Sequence, residues 1–151
     1  MRNNITALLL GSLLLILPLE AATKKVINPP EFAPAPGAPA PMFSPGILVG
    51  DTLYIAGQIG QDLKTKDVPA DFETEVKTCL ADIGIILKAA GMSFDDVVSV
   101  QIYLTDMDLF PRMNAVYATV FNAPRPSRTT VGVTKLANAK AHIEITVTAR
   151  K

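Results

Sequence analysis

Arg128 stands at the mouth of a strand-like run, "SRTTVGVTKL", in a chain of 151 residues where fourteen basic residues balance fourteen acidic ones. A guanidinium there can hold a carboxylate through two parallel hydrogen bonds, more directionally than a lysine. The same arginine fits plainer roles, lying along the strand end with its head in water or pairing with Glu144 across a sheet. Glu144, between Ile143 and Ile145, can position or deprotonate water; it can equally be a solvated strand residue or half of a structural ion pair. His142 brings the chain's one imidazole, a proton-transfer group that, when isolated, more often has a structural role. Asn114 by default faces solvent from a helix. Gly57, in "AGQIG", either permits close backbone packing or leaves an amide free for an anion.

Other chemistries find no motif. The chain has no phosphate loop, dinucleotide fingerprint, HExxH or paired-cysteine metal motif. One histidine and one cysteine leave a metal cage dependent on carboxylates, and no carboxylate cluster stands out. No nucleophile elbow accompanies the histidine. Cys79 lies at helical spacing with Phe72, Val76, Leu80, Ile83 and Leu87, so it is read as a buried, inert thiol. The balanced charge, without a like-charge tract, gives no field that attracts nucleic acid.

The segments that place these residues begin after residue 22. Arg2, the apolar run from Ala7 to Leu19 and the small residues of "EAA" read as a signal peptide over 1–22. The run falls short of the ~20 residues that span a bilayer. The mature protein is therefore expected in the periplasm or outside the cell, without stable membrane association. Residues 23–42 form a proline-rich extended lead: seven of twelve prolines fall between Pro29 and Pro45, and a segment so built is a poor donor to a ladder.

From there the pattern is that of one domain, 43–151. "GILVGDTLYIAGQIG" predicts a hairpin turning at Gly50 and Asp51. "DFETEVKTCLADIGIILKAAG" predicts a helix capped by Asp71 and stopped by Gly91. "DDVVSVQIYLTDM" predicts a strand with Val98, Val100, Ile102 and Leu104 on one face. A shorter helix follows in "MDLFPRMNAVYATVF", with Pro111 in its first turn and Leu109, Met113, Val116 and Val120 on one side. Two strands complete a β-β-α-β-α-β-β order, an α+β layer with both helices on one face of a mixed sheet. In the last strand His142, Glu144, Thr146 and Thr148 are expected on one face and Ile143, Ile145 and Val147 on the other. A polar face on a central strand points to a partner or a ligand.

The runs "LYIAGQIG", "VPADFETEVKTCLADIGIILKAAGMSFDDVVSVQIYLTDMDLFPRMNAVYATVF" and "RPSRTTVGVTKL…AHIEI" together resemble the RidA/YjgF family of enamine/imine deaminases, from about Phe43 to Arg150. The resemblance implies a chorismate-mutase-like fold and a homotrimer with ligand clefts between subunits. It also implies that Arg128, in "PSRTTV", binds a substrate carboxylate and that Glu144, in "HIEIT", orients the attacking water. Asn114 matches a family helix asparagine, the backbone amides around Gly57 and Thr130 join Arg128 in binding the carboxylate, and His142 falls at a variable position. Where the family often has serine before "GQ" this chain has Ala56; Phe43 replaces a tyrosine, Thr130 a cysteine and Thr146 an acidic residue.

The function so implied is hydrolysis of small 2-enamine or 2-imine carboxylates to 2-oxo acids and ammonia, which needs proton transfer and polarisation but no cofactor or metal. The alternative is a non-catalytic binding protein for small carboxylates that keeps the arginine clamp. The ribonuclease activity once attached to the family finds little support in a neutral chain without an aromatic stacking platform.

Overall fold

Lys24–Ile27, at the start of the proline-rich lead, forms a strand, β1, that pairs antiparallel with β2, Gly46–Val49. The proline signal that follows from Pro29 concealed it. Lys24 and Lys25 are exposed on this outermost strand, where charge discourages pairing with another chain. The computed structural model describes residues 23–151; the expected signal peptide at 1–22 lies outside them.

The expected hairpin joins β2 to β3, Thr52–Ile59, with Val49 opposite Thr52 and Gly50 at φ +59°. Helix α1, Phe72–Ala89, starts where Asp71 accepts from the Thr74 N–H at 2.8 Å. It ends in a left-handed Gly91 at φ +71°, with the Gly91 and Met92 N–H groups returning to the carbonyls of Lys88 and Leu87, a Schellman closure. Strand β4, Val97–Leu104, leads through a 3₁₀ turn at Met107–Leu109 into α2, Phe110–Tyr117, with Pro111 in the first turn. Strands β5, Ser127–Gly132, and β6, Ile143–Arg150, complete a six-stranded sheet of order β1-β2-β3-β6-β4-β5. Only β4 and β5 run parallel, which fits the crossover through α2.

Both helices cover one face. Phe72, Val76, Cys79, Leu80, Ile83, Ile86 and Leu87 of α1 bury against Leu53, Ile55, Val100, Ile102, Leu104, Ile143, Ile145 and Val147 in a single core. Each such aliphatic side chain contributes about 1.5–3 kcal/mol by leaving water. The opposite face carries no helix. Across it run the rows Glu144–Tyr103–Val131 and Thr146–Gln101–Thr129, with Tyr54 beside Thr148.

The alternation expected for β4 fails at its start. Val97 is buried and Val98 is 48% exposed, because the β4–β6 register shifts between Val97 and Ser99. The extra residue of this bulge turns Val98 to the open face.

Candidate functional site

Arg128 lies on β5, the edge strand, and its register partner is Val100, which pairs in turn with Val147. That row faces the helices. The Arg128 Cζ sits 4.6 Å from the Tyr117 ring centroid and 5.6 Å from that of Phe110, so two rings of α2 hold the guanidinium by its face. Phe110, Asn114 and Tyr117 recur at i, i+4 and i+7, which places Asn114 on the same helix stripe. Thr130, two residues along β5, shares the Arg128 face. Its hydroxyl and that of Tyr117 are buried and have no hydrogen-bond partner among the described residues. Burial pushes the Tyr117 hydroxyl pKa up, partly countered by the charges of Arg128 and Arg125.

Among the described residues Arg128 enters no ion pair; the acids Glu73, Glu75 and Asp51 are taken by Arg112, His142 and Arg150. Pairing with Glu144 across the sheet does not occur. Glu144 is the partner of Tyr103 and therefore lies on the open face. One oxygen presses on Gly57: a Cβ there would lie 1.9 Å from Glu144 Oε1. Of the two readings of Gly57, close packing is the one realised.

Gly57 and Ala56 occupy the irregularity in the β3–β6 register between Ile55 and Gln58. The Gln58 side chain donates to the Ala56 carbonyl at 2.8 Å, and the Ala56 N–H donates to Pro45 at 2.9 Å. That last bond ties the segment just after the proline-rich lead to the bulge. It leaves Phe43, two residues earlier and 67% exposed, at the same end of the molecule.

The candidate residues therefore fall into two groups. Arg128 and Thr130 lie on the helix-covered face, with Asn114 on the α2 stripe above it. Ala56, Gly57 and Glu144, with Phe43 nearby, form the second group at the open face. The first group sits on an edge strand, where a neighbouring molecule has access to it.

His142 departs from expectation. β6 begins at Ile143, and the His142 ring turns toward α1, with Nδ1 2.8 Å from Glu75 Oε2 and its edge toward Phe72 at 6.4 Å between centroids. It does not share the Glu144 face. Glu75 itself, fully buried, was not singled out from the sequence. The signal was present: Glu75, Cys79 and Asp82 repeat at the spacing of the buried helix face.

Two further groups on that face are settled by burial. Burial pushes the Cys79 thiol pKa well up, its Sγ donates to the Gln58 carbonyl at 3.0 Å, and the expected burial of the thiol is observed. Asp82 is 5% exposed with one oxygen unpartnered, and burial raises its pKa to about 6 against the opposing charge of Lys66.

A mixed sheet covered on one face by two helices, with an arginine at its edge that has no ion pair among the described residues and a glutamate packed on a bulge glycine, defines an α+β protein with a split candidate site. A family model described as endoribonuclease L-PSP matches residues 33–151. A RutC-family protein of Saccharolobus solfataricus is 42% identical over 122 residues, covering 80% of this chain and 94% of that protein. A 2-iminobutanoate/2-iminopropanoate deaminase of Dermatophagoides farinae is 35% identical over 123 residues, covering 80% of this chain and 93% of that protein. The crystal structure of RidA from an Antarctic Psychrobacter superposes with a TM-score of 0.75 at 30% identity, covering 84% of this chain and 100% of that one. The chain belongs to the RidA/YjgF family and has its fold.

Proposed function

We propose that the protein hydrolyses small 2-imine or 2-enamine carboxylates to 2-oxo acids and ammonia, as a homotrimer exported by its N-terminal segment. Arg128 binds the substrate carboxylate, with Asn114 and the Thr130 backbone shaping that side of the cleft. Glu144 orients water and takes its proton as the oxygen attacks the imine carbon. Glu144 passes that proton to the imine nitrogen, giving a carbinolamine; a 2-enamine first tautomerises to the imine. The carbinolamine hydroxyl then loses a proton as the amino nitrogen gains one, the C–N bond breaks, and ammonia leaves with the 2-oxo acid. Ala56, Gly57 and Phe43 line the Glu144 side.

The observation that carries this reading is a guanidinium held by two aromatic faces with no carboxylate of its own among the described residues. A cation so placed keeps its in-plane N–H donors for an incoming anion. The deaminase name of a relative supports the chemistry. The separation of Arg128 from Glu144 by the sheet supports a cleft completed by a second subunit.

The test is imine hydrolysis in a coupled amino-acid oxidase assay. Acceleration by the mature protein, lost in Arg128→Ala and Glu144→Ala, is expected. No acceleration, with binding of a 2-oxo acid retained, makes this a small-carboxylate binding protein instead.

A further inference from the structure

Glu75 is a fully buried carboxylate on the helix side of the sheet, and its hydrogen bonds end one residue from Glu144. Its Oε1 accepts the His142 N–H at 2.6 Å and the Ile143 N–H at 3.3 Å, while Oε2 meets His142 Nδ1 at 2.8 Å. These donors open β6 immediately before Glu144. On the other side, the Glu75 carbonyl packs against Gly60 so closely that a Cβ there would lie 2.0 Å from it. Gly60 follows Ile59, the ladder partner of Glu144.

The Glu75 side chain thus ties down the start of β6, while its backbone carbonyl packs beside the β3 end of the rung that carries Glu144. Two backbone N–H donors and one ring nitrogen converge on a carboxylate that is itself buried, and several bonds on one buried group fix its neighbours' geometry. We propose that Glu75 is a positioning residue, which holds the start of β6 so that the Glu144 carboxylate stays seated at Gly57. The proposal rests on the deaminase reading only for the role that Glu144 then performs.

The test is a double-mutant cycle on kcat, with Glu75→Leu and Glu75→Gln each made in the wild-type and Glu144→Gln backgrounds. Glu75→Leu lowers kcat on the order of 30-fold with KM changed less than about 3-fold, since the Arg128 side is untouched. Glu75→Gln, which keeps one acceptor oxygen for the two backbone donors, recovers most of that loss. In the Glu144→Gln background Glu75→Leu changes kcat little further, because residues acting through one another are not additive. An equal loss in both backgrounds, or a lowered melting temperature with kcat intact, overturns the proposal.

The second readout is the ¹³C carboxyl resonance of Glu144, assigned by its absence in Glu144→Gln. It is displaced or broadened in Glu75→Leu and, should that variant not fold, displaced in Glu75→Gln. An unmoved resonance overturns the positioning role whatever the turnover. Absent wild-type turnover with a displaced resonance removes the deaminase reading and leaves the positioning role standing.

Discussion

Arg128 and Glu144 stand on opposite faces of the same sheet. Arg128 is in register with Val100 and Val147 beneath the helices, whereas Glu144 is in register with Tyr103 and Val131 on the uncovered side. A strand's side chains alternate with period 2, so no rotamer change brings these two heads into one cleft through the sheet. In the proposed reading, a site that uses both takes Arg128 from one molecule and Glu144 from another.

Arg128→Ala removes the clamp without removing core. Tyr117 keeps its stacking on Phe121 at 4.3 Å, and the lost cation–ring contact is worth about 0.5–2 kcal/mol. Calorimetry with a small 2-oxo acid should show affinity lower by on the order of 30-fold or more, with the melting curve still cooperative. Arg128→Lys should fall between, because an ammonium lacks the planar fork.

Gly57→Ala puts a methyl where Glu144 Oε1 now lies, 1.9 Å away. The carboxylate must move, so turnover should drop toward that of Glu144→Ala, and stability should fall by about 1–3 kcal/mol. In the Glu144→Ala background the same change should cost clearly less. A full penalty there would place the clash elsewhere.

Asp82 gives a pH dependence with a definite sign. Burial raises its pKa in the folded state to about 6, above the ~4 of an unfolded aspartate. The folded state therefore holds the proton more tightly, and this group's contribution is most favourable below pH ~4 and lost as pH rises through about 6. Asp82→Asn should abolish that loss and stabilise the protein by on the order of 1–2 kcal/mol at neutral pH. Denaturant melts of both proteins across this range are the measurement; a difference independent of pH would contradict it.

The parts legible in the sequence were those set by local rules. The Asp71 cap, the Gly91 stop, the Gly50–Asp51 turn and the alternation of Ile143, Ile145 and Val147 each depend on a few neighbouring residues. Val98 was misplaced because a bulge, invisible in a run of valines, reverses every side chain before it. Lys24–Ile27 became a strand because β2 offered an edge, a non-local event that the flanking prolines obscured. His142 followed the strand period on paper, but β6 starts one residue later and a buried acid on α1 captures the ring. The opposition of Arg128 and Glu144 depends on β6 inserting between β3 and β4, which only the pairing registers reveal.

The central claim is that the site is shared between subunits, and co-expression of Arg128→Ala with Glu144→Ala tests it most directly. Each variant alone has no complete site. Random mixing in the proposed trimer should restore about a quarter of the wild-type sites, since on this account a site takes an intact Arg128 from one subunit and an intact Glu144 from its neighbour. Imine hydrolysis recovered to near that fraction is the predicted result. Hybrid trimers as inactive as either parent would place both residues of each site in one chain and contradict the account.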